Sequence, residues 1–538
     1  MALLAKAIRT QLSTVNDDTV DITSSGFGTP KVAIFWSAGT TASGVNSAID
    51  SRMSFGFTNG TDSFVTCCYD EHSVGTTNSQ SRASDNYDGL NRVVMHIDET
   101  STIGVATFDS WITDGVRIRM EEGFSSAFYV TALLLGDTAG EISNSHIGTE
   151  TIPATESTPV IDVTSPGFQP ELIIAAHGPI SASNVNEDHA QIGVTFGERD
   201  GTSLLAQSVS HYSHHNVDTS EVAQYSDSLD TAHLLDNSGI ASSPQFFSFD
   251  SQGFSLRQLK SGGGTSFDLG YLALAGDFST NLFIDQYSIG SGTGDKSQTG
   301  VGFKPGCVFQ CIGSRIPNSQ VLTGPTSFGL GAFDGSDEFC DSIFSWDNSG
   351  TSETRSTSYL TSFHALSNGT SRNLGAFVSF DDDGWTENYT TSVATTIAIG
   401  IAFDSQTAAP ETETPSTEEP LTISTPASSR DTRLTLDTPP AGTTKTQWRI
   451  TPPGESAFTI TTTSSGTDSA NVSDSDLTTL DIWLPPSHTY ALETRHFTNG
   501  SWGAWATESS FTSRGPLNSY EKYLALSGIS GVDNIDAT

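Results

Sequence analysis

Gly167-Phe168-Gln169-Pro170-Glu171-Leu172-Ile173-Ile174-Ala175-Ala176 is the stretch that decides the fold, because the chain says it three times. The same opening stands at Gly26-Phe27, with Pro30 before the apolar run Val32 to Trp36, and at Gly302-Phe303-Lys304-Pro305 before Cys307 to Cys311. Further anchors follow in the same order. One is Phe55-Gly56, Phe196-Gly197 and Phe328-Gly329. Another is Phe108-Asp109 with Asp114-Gly115, Phe249-Asp250 with Gly253-Phe254, and Phe380-Asp381 with Gly384-Trp385. The last is an apolar run, Tyr129 to Leu135, Tyr271 to Ala275 and Ile397 to Phe403, closing near Asp137, Asp277 or Asp404. Anchors in constant order make a tandem array, and a period of roughly 135 to 140 residues is that of a whole domain rather than a solenoid repeat.

Inside each repeat the signals are those of strands. Lys31 to Trp36, Leu172 to Ala176 and Val308 to Cys311 are short apolar runs bounded by Gly or Pro, as expected of strands buried in a sandwich. Phe249 to Leu256 reads as a hairpin whose Gly253 takes a positive φ. The expectation is an all-β chain of three tandem antiparallel, jelly-roll-like β-sandwiches. Leu3 to Leu12 could form one minor helix. Ser73 to Asn91 and Ser208 to Ala241, rich in Ser, Asn and Gly, read as divergent loops where partner contacts would differ between repeats.

Boundaries follow from these anchors and from one abrupt change in composition. Repeat 1 with an N-terminal segment covers 1–140, repeat 2 covers 141–280 and repeat 3 covers 281–405. Gln406 to Pro420, dense in Pro, Thr and Glu, is an extended linker. A fourth β domain covers 421–514 and a tail covers 515–538, where Tyr520 to Leu526 reads as a short helix or a docking strand.

Charge excludes several functions. The 538 residues carry 62 acids against 23 bases, a formal charge of −39, which repels phosphate, so nucleic acid is not an expected partner. Lysines are few: Lys6, Lys31, Lys260, Lys296, Lys304, Lys445 and Lys522. Such an acidic balance resembles proteins of salt-loving archaea and their viruses, and a merely acidic extracellular or virion surface is an equal alternative. No apolar run approaches the ~20 residues that span a bilayer, so no membrane insertion is expected. The start, Met1 to Lys6, lacks the basic front and longer apolar centre of a signal peptide, so if the protein ends up outside cells, release by lysis rather than by secretion is expected. Cys67, Cys68, Cys307, Cys311 and Cys340 are odd in number and do not recur between repeats. They are therefore expected to be reduced and buried rather than paired.

Catalytic and metal constellations are weak. Gly290-Ser-Gly-Thr-Gly294-Asp295-Lys296-Ser297 imitates a phosphate loop, but Asp295 stands where Gly is needed and no helix is expected to follow. Cys307 and Cys311 would share one strand face ~13 Å apart, too far for one metal. His211, His214 and His215 near Asp218 form the one histidine cluster; they could hold a transition metal, although exposed loop histidines are the commoner meaning. Acids at Asp334-Gly-Ser-Asp337-Glu338, Asp381-Asp-Asp383 and Asp85-Asn-Tyr-Asp88 could bind Ca²⁺ through oxygen, but solvated turns are commoner. No residue pair is named for catalysis, and no cofactor is expected.

Two resemblances add to this. Tyr490 through Gly500-Ser-Trp502-Gly-Ala-Trp505 to Phe511-Thr512 resembles the last two strands of a fibronectin type III domain, with Trp448 matching that family's inner-strand Trp on the opposite sheet. Trp502 and Trp505 could touch a glycan if exposed, but in such a fold they are more often core. The repeat itself, Gly-Phe-x-Pro, Phe-Gly, Phe-Asp-x-x-Gly-Phe and Tyr-Leu-Ala-Leu-x-Gly-Asp, is similar to virion structural proteins of tailed phages and tailed archaeal viruses. Repeat 1 departs by inserting Gly28-Thr29 and by Val116. That resemblance implies a non-enzymatic tail (fibre or baseplate) or surface component, assembled in the host cytoplasm. It would be a homo-oligomer that binds other virion proteins and a host surface glycan or protein. A capsid decoration or turret protein is the alternative, and a carbohydrate-binding adhesin the next.

Overall fold

The computed structural model describes residues 3–404 apart from 48–49, 86–89, 100, 138–140, 155–159, 184, 201–202, 228–230, 237–238, 262–265, 277, 279–281, 314–321, 368–369 and 394. Within 405–538 it describes the strands given below. Every regular element among these residues is a strand, so the chain is all-β. Leu3 to Leu12 is a strand too, not the expected helix: Leu3–Gln11 pairs along its whole length with Tyr129–Asp137. Residues 1–406 form one compact unit and 407–538 a second.

Repeat 1 runs β1 (Leu3–Gln11), β2 (Thr19–Thr23), β3 (Val32–Ser37), β4 (Gly44–Ser47), β5 (Ser51–Thr58) and β6 (Ser63–Asp70). It continues with β7 (Ser79–Ser84), β8 (Arg92–Ile97), β9 (Thr102–Ile112), β10 (Gly115–Glu122) and β11 (Tyr129–Asp137). Repeat 2 runs β12 (Ile142–Ile152), β13 (Val160–Val163), β14 (Leu172–His177), β15 (Glu187–Asp188), β16 (Ala190–Asp200) and β17 (Ser203–Ser213). Its remaining strands are β18 (Val222–Asp227), β19 (Leu234–Asp236), β20 (Gly239–Asp250), β21 (Gly253–Ser261) and β22 (Phe267–Gly276). Repeat 3 runs β23 (Leu282–Ile289), β24 (Gly294–Thr299), β25 (Pro305–Gly313), β26 (Leu322–Thr323), β27 (Thr326–Phe333) and β28 (Glu338–Ser345). It ends with β29 (Thr354–Tyr359), β30 (Phe363–Ser367), β31 (Thr370–Asp381), β32 (Gly384–Ser392) and β33 (Thr396–Asp404). Each strand thus has a counterpart eleven places further on in the next repeat.

Each repeat builds a four-stranded sheet, β2-β10-β9-β8 and its counterparts, and six strands of a seven-stranded sheet, β1-β11-β3-β5-β6-β7 and its counterparts. The seventh strand comes from a neighbour. β15 of repeat 2 pairs with β7 of repeat 1, β26 of repeat 3 pairs with β18 of repeat 2, and β4 of repeat 1 pairs with β29 of repeat 3. The exchange closes on itself, so three repeats form a ring about a pseudo-threefold axis.

Strand periodicity explains why both sides of the repeated apolar run are buried. In β3, Val32, Ile34 and Trp36 face a core shared by all three repeats, while Ala33 and Phe35 face the four-stranded sheet of their own repeat. Repeat 2 divides Leu172, Ile174 and Ala176 from Ile173 and Ala175 in the same way. Repeat 3 divides Cys307, Phe309 and Cys311 from Val308 and Ile312. The Phe-Gly anchor obeys the same alternation. Phe55, Phe196 and Phe328 enter the shared core, whereas a Cβ at Gly56 would lie 2.3 Å from Val93 O, and one at Gly197 would lie 2.3 Å from the Phe246 ring.

The hairpin anchor needs two corrections. Gly253 has no positive φ; its requirement is space, since a Cβ there would stand 1.9 Å from Val163 O of the edge strand β13. Gly115 and Gly384 meet Ile22 O and Gln298 O at 2.0 and 1.9 Å in the same way. The register also moves the aromatic pair. Phe249 pairs with Phe254 and Phe380 with Trp385, but Val116 pairs with Trp111. Trp111 is therefore the counterpart of Phe249 and Phe380, and Phe108 that of Phe246 and Phe377. In every repeat a bulge between the two aromatics skips one residue, Asp109, Phe247 or Val378. Gly26, Gly167 and Gly302, by contrast, do hold positive φ, at 81°, 73° and 83°, and the phenylalanine after each packs on its own repeat's core.

The second unit holds a sheet of Thr422–Ser424, Thr432–Thr435, Thr479–Ile482 and Val472–Ser475, and another centred on Thr443–Thr451 and Thr489–Thr498. Trp448 is buried and sits opposite Thr494 in that second sheet. It therefore shares a sheet with the strand carrying Tyr490 rather than facing it from the opposite one. The tail forms a hairpin, Tyr523–Leu526 with Val532–Ile535. The linker over 406–420 lies outside the described residues.

Candidate functional site

The six-stranded frames run from a base, where Leu3 pairs with Asp137 and Pro305 with Asp404, to an apex made by the turns after β6, β17 and β28. Those turns, residues 71–78, 214–221 and 346–353, share one geometry. Each is closed by the same backbone bond, Glu71 N–H to Asn78 O, His214 N–H to Glu221 O and Trp346 N–H to Glu353 O, all at 2.9 Å. The third residue has a positive φ in each: Ser73, Asn216 and Asn348 at 66°, 60° and 55°.

The turns clasp one another around the axis. Asn216 N–H donates to Thr77 O and Thr77 N–H to Val217 O; Asn348 N–H donates to Ser220 O and Ser220 N–H to Ser349 O; Ser73 N–H donates to Ser352 O and Ser352 N–H to Val74 O. The hydroxyl at the seventh position works inside each clasp. Thr77 Oγ1 donates to His214 O at 2.7 Å and accepts from Val217 N–H at 3.0 Å. Ser352 Oγ donates to Glu71 O at 2.6 Å and accepts from Val74 N–H at 3.1 Å. The second position caps the strand of a neighbour: His72 Nδ1 accepts from Thr354 N–H, His215 Nδ1 from Ser79 N–H, and Asp347 Oδ1 from Val222 N–H.

This arrangement corrects the assignment of 73–91 and 208–241 to divergent loops. Much of both is strand, β7 and β17 to β20, and its Ser and Gln side chains are buried between repeats. The clasp also has a sequence signature that the polar composition hid: Ser73-Val-Gly-Thr-Thr77, Asn216-Val-Asp-Thr-Ser220 and Asn348-Ser-Gly-Thr-Ser352. Its exposed positions are Ser73, Gly75 and Thr76, with Asn216, Asp218 and Thr219, and with Asn348, Gly350 and Thr351. A shallow cleft of about 300 Å³ opens beside it between repeats 2 and 3, lined by Tyr212, Thr219 to Ala223, Asp347 and Asn348.

The histidine cluster divides. His211 lies in β17, wholly buried, and Thr326 Oγ1 of repeat 3 is 3.0 Å from its Nδ1; burial pulls its pKa down to about 4. His214 and His215 stay in the clasp turn, with His214 Nδ1 3.0 Å from Glu221 Oε2 and His215 Nε2 3.6 Å from Asp188 Oδ1. The residue beside them that the sequence spacing missed is His189, whose ring lies 4.7 Å from that of His214 and whose Nδ1 accepts from His215 N–H. Only spatial folding brings it there. Because the ring nitrogens of His215 and His189 already accept backbone protons, they serve the turn, and among the described residues no group of His, Cys, Asp or Glu is placed to hold a metal ion.

The acid clusters are turn acids with occupied oxygens. Asp334 accepts from Lys6, Ala7 N–H, Ser336 N–H and Asp337 N–H. Asp381 accepts from Ser379 and Thr386, and Asp383 from Gly300 and Gly302 N–H. Of 85–88, only Asp85 is described. After Gly290-Ser-Gly-Thr-Gly294 comes strand β24, not a helix. All five cysteines are free and buried; burial pushes Cys67 and Cys340 up to about 12, so they are poor nucleophiles. Trp505 lies outside the described residues, and Trp502 is described only as a backbone partner of Phe497. No helix among the described residues is long and apolar enough to cross a membrane.

Near the apex the axis holds one carboxylate. Asp70 is buried, accepting from Ser79 Oγ at 2.7 Å and from Ser345 Oγ at 2.6 Å; its counterparts in the other repeats are Ser213 and Ser345. Burial raises its pKa, and the hydroxyls only partly restrain that.

Comparison with protein-family models finds no match, and comparison with curated proteins finds no relative.

Proposed function

We propose that this protein is a non-enzymatic structural component of a tailed-virus particle, a preassembled threefold block that binds other particle proteins and contacts the host surface. The observation that carries this reading is the closed exchange of β4, β15 and β26, which puts three copies of one framework around one axis. A catalytic repeat would keep its reactive residues from copy to copy. Here the recurring residues are turn glycines, core aromatics and clasp hydroxyls, which is the economy of a building element. Weak contacts from an apex ring of hydroxyl and amide groups gain strength through copy number.

A seat on the tail, in a fibre or baseplate, and a seat on the capsid as a decoration protein both accept such a block. The pseudo-threefold axis favours the capsid seat as the second reading, because three similar faces suit a threefold lattice point. The unit over 421–514, with its fibronectin-like sequence pattern, is the candidate for glycan or protein contact. Imaging of purified particles carrying a label at the C-terminus is the test. Density on tail or head with one chain per threefold block is expected, and absence of the protein from purified particles would sink the reading. Binding of the full chain to a glycan array without any particle association would move the protein to the adhesin class.

A further inference from the structure

The three contacts between repeats look alike, yet the chain bridges only two of them. Repeat 1 runs into repeat 2 through residues 138–141, and repeat 2 into repeat 3 through 277–281. Repeat 3 meets repeat 1 with no such bridge. That contact nevertheless carries the full set of joints: β4 lies on β29, and Ser73 and Val74 clasp Ser352.

It is also where the charge is. Arg9, nearly buried, donates from Nη2 to Asp341 Oδ1 at 2.9 Å, from Nη1 to Tyr359 O at 2.9 Å and from Nε to Thr131 Oγ1 at 3.0 Å. Lys6 Nζ lies 3.0 Å from Asp334 Oδ1, and Asp334 Oδ2 accepts from Ala7 N–H at 2.9 Å. Strand pairing makes Thr149 and Gln286 the counterparts of Arg9, since Ala7, Ile147 and Ile284 oppose Leu133, Leu272 and Ile401. Counting back from Asp70, Ser213 and Ser345 makes Thr66 and Val209 the counterparts of Asp341. Among the described residues the bridged contacts thus hold no ion pair at these positions, and at the first of them Thr149 Oγ1 donates instead to Asp85 Oδ2 of repeat 1 at 3.2 Å. At the first of them Phe64 lies on Gly270, where a Cβ would come within 2.3 Å of the ring.

We propose that repeats 1 and 3 dock as separate subunits would, each repeat being the protomer of a trimer carried on one chain, and that Arg9–Asp341 with Lys6–Asp334 selects which repeat closes the ring. A buried ion pair adds little net stability over an apolar contact, but a wrong partner leaves a buried charge unpaired. Asp341 opposite Thr149 or Gln286 would be such a case. The partner that the repeat 3 face fits is therefore the repeat 1 face, of its own chain or of a second copy. Closure within the chain wins by effective concentration.

The test uses the full chain with a protease site placed between Asp137 and Glu141 and cut after folding. The cut protein is expected to elute as one particle of unchanged size, releasing repeat 1 only in denaturant; release in native buffer overturns the proposal. In the cut protein Arg9→Gln is expected to weaken retention of repeat 1 on the order of a hundredfold or more. Arg117→Gln, whose partner Asp21 lies within repeat 1 and is exposed, should leave retention as in the parent. Equal behaviour of the two variants overturns the selecting role. If the inserted site prevents folding, a permuted chain decides. It starts at Glu141, joins Asp404 to Leu3 by a linker as long as 277–281, and carries 405–538 after residue 140. It is expected to keep the parent's melting temperature and size, and failure to fold overturns the proposal.

Discussion

The middle of the pseudo-threefold axis and its apex join the same three repeats by different chemistry. In the middle, Phe309 of repeat 3 lies 5.2 Å from Trp36, 6.3 Å from Phe55 and 5.4 Å from Phe196, ring centre to ring centre, so one side chain touches both other repeats. At the apex the joints are hydrogen bonds between peptide groups, with Thr77, Ser220 and Ser352 inside them. Apolar burial is strong but non-directional, and it would tolerate a slip of one repeat past another. A ladder of paired peptide groups fixes register, because a slip leaves donors unpaired. The axis therefore separates cohesion from alignment.

Acid should produce the largest effect, mostly within the repeats and at one contact between them. His96, His177, His211 and His364 are buried, and burial lowers their pKa values from 6.5 to about 3, 4, 4 and 3. Folded, these imidazoles stay neutral; unfolded, they take a proton near 6.5. Their contribution is therefore intact above pH 6.5 and is lost as pH falls from there toward 4, by roughly 1.4 kcal/mol per pH unit for each. Asp70, Asp341 and Glu387 act in the opposite sense, since burial raises their pKa values and the folded chain takes up those protons first. They offset part of the loss at the acid end. Denaturant midpoints should fall between pH 7 and pH 5.5. His211→Asn, on the axis side, should flatten that slope by up to one proton; an unchanged slope would clear His211 of the effect.

Next in size is the core itself. Phe309→Ala removes a wholly buried ring and is expected to cost about 3 to 5 kcal/mol. Because that ring serves three repeats, the loss should appear as a lower midpoint for all of residues 1–406 in one transition, seen by hydrogen exchange. Separate melting of repeat 3 would mean the shared core is not the source of cohesion. Gly253→Ala is a local counterpart: its Cβ would meet Val163 O at 1.9 Å. We expect about 1 to 3 kcal/mol, felt in the four-stranded sheet of repeat 2 and not at the axis.

These two regions also differ in how they are written in the sequence. The middle is written in apolar runs whose alternation and Gly boundaries reveal strands, so β3, β14 and β25 and the hairpin anchors could be read directly. That Val32 and Ala33 serve different cores could not, since a run buried on both faces looks the same whether one core or two lie beside it. The apex is written in Ser, Thr and Asn, which strands share with loops. β7 and β18 leave no such trace, because their side chains meet polar neighbours from another repeat, Ser81 the Gln191 carbonyl and Gln224 the Ser327 carbonyl, and no apolar alternation marks them. The segment Leu3 to Leu12 has apolar residues at helical and strand spacing alike, and only the partner β11 decides. His189 joins His214 across the β16–β17 pairing of its own repeat, where Ala190 stands opposite Ser213, and no spacing along the chain encodes that register.

The smallest expected effect is the one most specific to the apex. Ser352→Ala removes the donor to Glu71 O and the acceptor for Val74 N–H, leaving peptide groups under-bonded inside a closed joint at a cost of about 1 to 3 kcal/mol. Amide exchange should quicken at Ser73 and Val74 while the amides of β25 stay protected. Ser352→Thr separates the hydroxyl from the shape of the side chain. Repeat 1 already carries Thr77 in the same position with the same two bonds, so the exchange should change stability by no more than about 0.5 kcal/mol. Ser352→Thr as damaging as Ser352→Ala would mean that the joint reads volume rather than hydrogen bonding. The apex would then be a second packing site, and the division of cohesion from alignment along the axis would fail.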